Sequence, residues 1–201
     1  LHPATTDNEL FGGLDFVSTL ETGVPTISTG HLQKNNQLFI LTMAERFDSN
    51  LVAKLTASID SNLSNCFIAC DEGVDDECTG ESLTERLTFA ISLDELNYKQ
   101  RDKVKFKTRK IKAARKILEQ IKISDEIIKT YVMLALELGI NSMRAPLLAC
   151  YTARASAAFK GATSIERSDI LVGASLALAP RATIFPSANE EPQQQNPSET
   201  E

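Results

Sequence analysis

This 201-residue chain has no apolar run approaching the roughly 20 residues that a membrane-spanning helix requires. Its start also lacks the charged, then apolar, then small-residue order of an export signal, so neither insertion nor export is expected. Histidine is scarce: His2 and His31 are the only two, and both lie far in sequence from the four cysteines, Cys66, Cys70, Cys78 and Cys150. No C-x-x-C pair is present, which argues against a zinc site. Cys66 and Cys70 share one face of an apolar segment and are expected to pack as reduced thiols in a cytosol-like compartment. A glycine-rich G-x-x-x-x-G-K-[ST] loop, whose backbone would cradle phosphates, is missing too. Gly12 and Gly13 run straight into Leu14 and Asp15, without the lysine or the hydroxyl residue, and read as a turn before a helix.

What is present suits a real core. Hydrophobic residues make up 42% and charged residues 24%, enough for one globular unit or two small ones. The first residue is Leu1, not methionine, so the chain is expected to be processed or cut from a longer polypeptide. The net charge of −6 is unevenly spread: ten Lys or Arg and one acid, Asp102, stand between Lys99 and Lys116, leaving 11 bases against 26 acids elsewhere. Only Tyr98 and Phe106 are there to stack on bases, so a solvated helix face or an acidic protein neighbour explains the run better than nucleic acid does.

Residues 1–93 read as α/β. Leu14 to Glu21 is a short helical pattern, and Leu38 to Leu41 is a continuous apolar run of the kind that fills a strand buried on both faces. Asp48 or Ser49 caps a helix whose inner face is Leu51, Val52, Leu55 and Ile59. Cys66 to Cys70 is a second strand, followed by an acidic loop (Asp71, Glu72, Asp75, Asp76, Glu77), a short helix through Leu83 to Leu87 and a third strand at Phe89 to Leu93. Alternation of this kind predicts parallel pairing with crossovers. The loop's spacing matches no calcium site, and it is expected to be solvated.

Residues 94–186 read as four helices, over Thr108 to Ile121, from a Ser124 cap to Leu138, after Arg144, and over Ser168 to Leu178 before Pro180. Residues 187–201 are rich in Pro, Gln and Glu and read as an acidic linker. The third helix begins around Ser142 to Ala145, with Gly139 closing the one before it, Asn141 and Ser142 offering capping oxygens and Pro146 in the first turn. Leu147, Leu148, Tyr151, Ala155, Ala158 and Phe159 are expected to form its inner face. Arg144 is the odd residue there. A cation at a helix N-terminus opposes the macrodipole by about 0.3–1 kcal/mol, and either a nucleotide phosphate or a nearby carboxylate would explain it.

Taken in order, FGGLDF and GHL, the strand and turn LFILTMAERF, CDEG, LTERLTFAISL, LALELGINSMRAPLLACYTARASAAFKGAT and LAPRAT resemble the AAA+ module of the magnesium chelatase family, specifically its D-type subunits. The resemblance covers almost the whole chain. It implies a partial P-loop-type parallel sheet core followed by a four-helix lid, an α/β plus all-α fold. It also implies that Arg144 is the sensor-2 arginine reaching from the lid to nucleotide phosphates, and that Arg86 is an arginine finger directed at a neighbouring subunit. A guanidinium suits both tasks because it stays charged and forms forked bonds. From the residues alone, Arg86 is better read as an ion pair with Glu85 or Glu81 on a short surface helix.

Where the family's ATPase subunit carries Asp-Glu after the first strand, this chain has Thr42 and Met43, with Glu45 two residues further on. A threonine hydroxyl cannot supply the negative charge that magnesium binding uses, and a thioether is a poor ligand for a hard cation. Asp71 stands where a sensor asparagine is usual and would repel a γ-phosphate. The resemblance therefore implies a platform without hydrolysis of its own, which assembles in a ring with the family's I-type ATPase subunit. Turnover there would drive magnesium insertion into protoporphyrin IX by the porphyrin-binding, H-type subunit, in bacteriochlorophyll or chlorophyll synthesis. No tightly bound cofactor is expected on this chain, ATP and Mg²⁺ being used by the complex. The missing acids point to the cytoplasm of a photosynthetic bacterium rather than a plastid stroma, and residues 187–201 to a linker before an integrin-I-like domain. The alternative is an active MoxR-type AAA+ chaperone ATPase whose P-loop lies upstream.

Overall fold

The computed structural model describes residues 1–62, 64–74, 76–93 and 107–184, which fall into two compact units, Leu1–Thr88 and Phe89–Glu201. Asp75, most of the basic run before Lys107 with Tyr98 and Phe106, and the linker at 187–201 lie outside the described residues.

In the first unit a capping box starts helix α1 (Asp7–Phe11): the Glu9 carboxylate accepts the Thr6 N–H at 2.7 Å while Thr6 Oγ1 accepts from Glu9 N–H. Strands β1 (Gly12–Leu14) and β2 (Ile27–Thr29) pair antiparallel around helix α2 (Phe16–Thr22), which Asp15 caps. The Gly12-Gly13 segment is thus a strand, not a turn. Gly12 has φ +75°, and a Cβ there would run into the Ser28 carbonyl, so this crossing tolerates only glycine.

Strands β3 (Leu38–Leu41) and β4 (Cys66–Ala69) run parallel, with Leu38 opposite Cys66 and Leu41 opposite Ala69. They are joined by helix α3 (Ser49–Ser61), whose Asp48 cap accepts the Leu51 N–H at 2.7 Å. Leu51, Val52 and Leu55 face a core with Leu10, Leu32, Phe39, Leu41 and Leu83, and Ile59 packs beside it. Leu83 belongs to the short helix α4 (Glu81–Thr84).

Three expectations fail here. β3 is covered on one face only: Phe39 and Leu41 are buried, while Leu38 and Ile40 are exposed. Cys66 lies opposite Leu38 and is exposed, so it is not a packed thiol, though all four cysteines are free. Phe89 to Leu93 forms no strand, and Phe89, Ile91 and Leu93 are exposed. An apolar run becomes a strand only where a neighbour takes up its backbone N–H and C=O groups, and among the described residues this parallel sheet consists of β3 and β4.

The second unit contains α5 (Thr108–Leu118), α6 (Asp125–Glu137), α7 (Arg144–Lys160) and α8 (Arg167–Gly173), the last continuing as a π turn over Ala174–Leu178. Ser124 caps α6, and Gly139 and Gly161, both left-handed, end α6 and α7. No residue of the basic helix α5 is buried, and Lys110 Nζ lies 4.5 Å from the centre of the Phe159 ring. No helix among the described residues is long and apolar enough to cross a membrane.

The inner face of α7 differs from the expected one. Ala145, Ala149, Cys150, Thr152, Ala153, Ala157 and Ala158 are buried, whereas Leu147, Tyr151, Ala155 and Phe159 are exposed. Close helix approach selects small side chains. A Cβ on Gly173 of α8 would strike both the Tyr131 hydroxyl and the Ala149 carbonyl, which shows how little room lies between these helices.

Candidate functional site

The carboxyl ends of β3 and β4 are where a parallel sheet of this type would present its acids. Thr42 follows β3, and its N–H and hydroxyl both donate to the Leu1 carbonyl, at 2.9 and 3.1 Å. Met43 takes a left-handed conformation at φ 52°, unusual for a residue with a side chain, and Ala44 N–H then donates to Cys70 O at 2.9 Å. The chain therefore turns back across the sheet end.

Glu45 lies in the turn that follows. Its side chain is 1% exposed, and one oxygen accepts the Glu72 N–H at 3.1 Å while the other lies 3.5 Å from Arg46 Nε. Asp71, just past β4, is occupied as well. It accepts the Gly73 N–H at 2.9 Å and both the N–H and the hydroxyl of Thr79 at 2.8 and 2.9 Å. The Gly73 and Thr79 backbone bonds hold its carboxyl below the usual carboxylate range. Asp71 thus orders the loop it opens, which is more than the solvated role expected of it.

Among the described residues no three His, Cys, Asp or Glu side chains group in a way that could hold a metal. Thr42 and Met43 supply no charge, Asp71 accepts from the backbone of Gly73 and Thr79, and Glu45 gives one oxygen to the Glu72 N–H while its other, also buried, has no hydrogen-bond partner among the described residues.

Arg86 sits in the turn after α4, and its guanidinium is fixed. Nε lies 3.1 and 3.0 Å from the two Asp60 oxygens, Nη2 donates to Asp60 Oδ2 at 2.7 Å, and Nη1 donates to the Ser82 carbonyl at 2.7 Å. The partner is therefore Asp60, not Glu85 or Glu81. Sequence reading missed Asp60, although a signal was there: an acid in the last turn of α3 opposes the helix dipole and calls for a nearby cation.

Arg144 is the first residue of α7 and is exposed. Ser142 Oγ accepts the Arg144 and Ala145 N–H groups at 3.2 and 3.3 Å, so the cap is Ser142 rather than Asn141. No acid occupies the first turn of α7. Arg86 belongs to the first unit and Arg144 to the second.

Residues 128–201 match the AAA lid domain family. The chain is 37% identical over 193 residues to the magnesium-chelatase 60 kDa subunit of Cereibacter sphaeroides, covering 96% of this chain and 34% of that protein. It is 36% identical over 183 residues to the subunit of the same name from Rhodobacter capsulatus, covering 90% and 32%. This chain therefore spans about a third of the length of these relatives. A crystallised protein of Cytophaga hutchinsonii that carries an ATPase assignment superposes with a TM-score of 0.67 at 16% identity, over 90% of this chain and 68% of that one. That likeness bears on the fold alone.

Proposed function

We propose that this chain, which is similar to the magnesium-chelatase 60 kDa subunits and matches the AAA lid domain over residues 128–201, is an AAA+ platform module that does not hydrolyse ATP itself. One observation carries the reading. At the end of β3 the uncharged pair Thr42 and Met43 stands where cation-binding acids are needed, while Asp71 accepts from the Gly73 and Thr79 N–H groups and one Glu45 oxygen accepts from the Glu72 N–H.

On this reading the chain assembles with an ATPase subunit of the I type, and Arg86 is presented to the nucleotide of that neighbour. Arg144 would contact phosphate from the lid. The assembled complex would use ATP and deliver its substrate, Mg²⁺, to protoporphyrin IX on a porphyrin-binding subunit of the H type. The protein's own part is positional: it holds cations where phosphate charge develops and leaves the cleavage to its partner's site.

The test is hydrolysis by the purified chain. Phosphate release should not exceed background, with or without Mg²⁺. Clear turnover that disappears in Glu45→Ala would reverse the conclusion and make Glu45 a catalytic carboxylate.

A further inference from the structure

We propose that Asp60 is a positioning residue for Arg86, and that the pair forms a preset anion contact facing out of the first unit. This rests on the reading of Arg86 as a residue that meets a neighbour's nucleotide. A guanidinium has five N–H bonds. In Arg86 the Nε–H is shared by the two Asp60 oxygens, one Nη2–H goes to Asp60 and one Nη1–H goes to the Ser82 carbonyl. Two N–H bonds, one on each Nη, have no acceptor among the described residues. Two such donors on one planar group can engage two oxygens of a phosphate.

Burial and placement agree with this. The Arg86 side chain is 17% exposed and that of Asp60 38%, so the arginine stem is covered while the pair still borders solvent. Held at Asp60 and Ser82, the arginine loses its rotamer freedom on folding rather than on meeting the anion, and that is what preorganised charge stabilisation requires. Asp60 is also costly where it stands, since an acid in the last turn of α3 faces the negative end of the helix. Its value is therefore tertiary. Its partner is 26 residues away in sequence and comes from a different helical turn.

The experiment is steady-state ATP hydrolysis by the chain mixed with its ATPase subunit, comparing wild type with Arg86→Ala, Asp60→Ala, Asp60→Glu and the double alanine variant. Arg86→Ala should lower kcat roughly tenfold or more, since trans-acting arginines contribute on the order of 10³ to 10⁵. Asp60→Ala should lower kcat in the same direction with KM for ATP changed less than about twofold, because it disturbs aim rather than binding. Asp60→Glu should recover part of the rate, and the double variant should be no slower than Arg86→Ala alone.

Should Asp60→Ala fail to fold by circular dichroism, Asp60→Asn takes its place, since it keeps an acceptor oxygen and the side-chain shape. Wild-type kcat in Asp60→Ala or Asp60→Asn alongside an impaired Arg86→Ala would overturn the positioning role and leave the arginine's role standing. A double variant with fully additive losses would overturn it as well. Wild-type kcat in Arg86→Ala would remove both.

Discussion

The Asp169 carboxylate meets the Lys160 ammonium at 2.7 Å, although the acid side chain is 1% exposed and the lysine 47%. Ser156 Oγ donates to the same carboxylate at 2.7 Å, and the Glu166 N–H donates at 3.1 Å. This one acid ties the end of α7 to the start of α8. Burial alone would push its pKa up, but the bonds from Lys160, Ser156 and the Glu166 backbone outweigh burial and hold the carboxyl below its usual range.

Asp169→Ala should therefore destabilise the helical unit by about 2–4 kcal/mol, because it breaks a satisfied buried network. The sign of the pH dependence follows from the direction of the shift. A carboxyl whose folded pKa lies below its unfolded value of about 3.9 contributes fully above that value, and the contribution is lost as pH falls through the folded pKa. Thermal unfolding of wild type should weaken with acid below about pH 4, and the variant should show a flatter acid limb; equal acid slopes would contradict the assignment.

Asp71 supports a second acid-sensitive element. Removing its carboxylate in Asp71→Ala should cost roughly 1 kcal/mol and speed hydrogen exchange at the Gly73 and Thr79 amides, which it accepts. Exchange at Leu51, whose N–H is bound by Asp48, should stay unchanged and serves as the internal reference.

Gly173 lies within a helix, where glycine is normally about 1 kcal/mol worse than alanine. The crowding against the Tyr131 hydroxyl and the Ala149 carbonyl reverses that preference. Gly173→Ala should lower stability by about 1–3 kcal/mol, as overpacking does. A higher melting temperature in this variant would show that α8 can move away from α6 and α7.

Arg144→Ala should leave the fold nearly untouched, within about 0.5 kcal/mol, because the residue is exposed and its cap is made by Ser142 rather than by its own side chain. The expected effect is on assembly with the ATPase subunit or on its nucleotide response, read by sedimentation with and without ATP. A large drop in melting temperature would make Arg144 a structural residue.

Local features were legible in the linear chain because their physics is local. Asp48 and Ser124 as caps, Gly139 and Gly161 as stops, and the inner face Leu51, Val52 and Leu55 each depend on residues within a turn or two. The candidate site was legible only in part. Thr42, Met43 and Arg144 could be placed by their position along the chain, while the Asp60 partner of Arg86 and the return of Glu45 to the Glu72 N–H could not.

What the amino-acid order determined by itself was the start of α3, the extent of α6 and α7 and the lack of charge after β3, since capping and residue type act over short range. Tertiary structure alone decided that the alanine side of α7 is buried, that Phe89 to Leu93 forms no strand and that Arg86 is held by Asp60. Each of these depends on which surface comes within a few ångströms of another, and spacing along one chain carries no record of that distance.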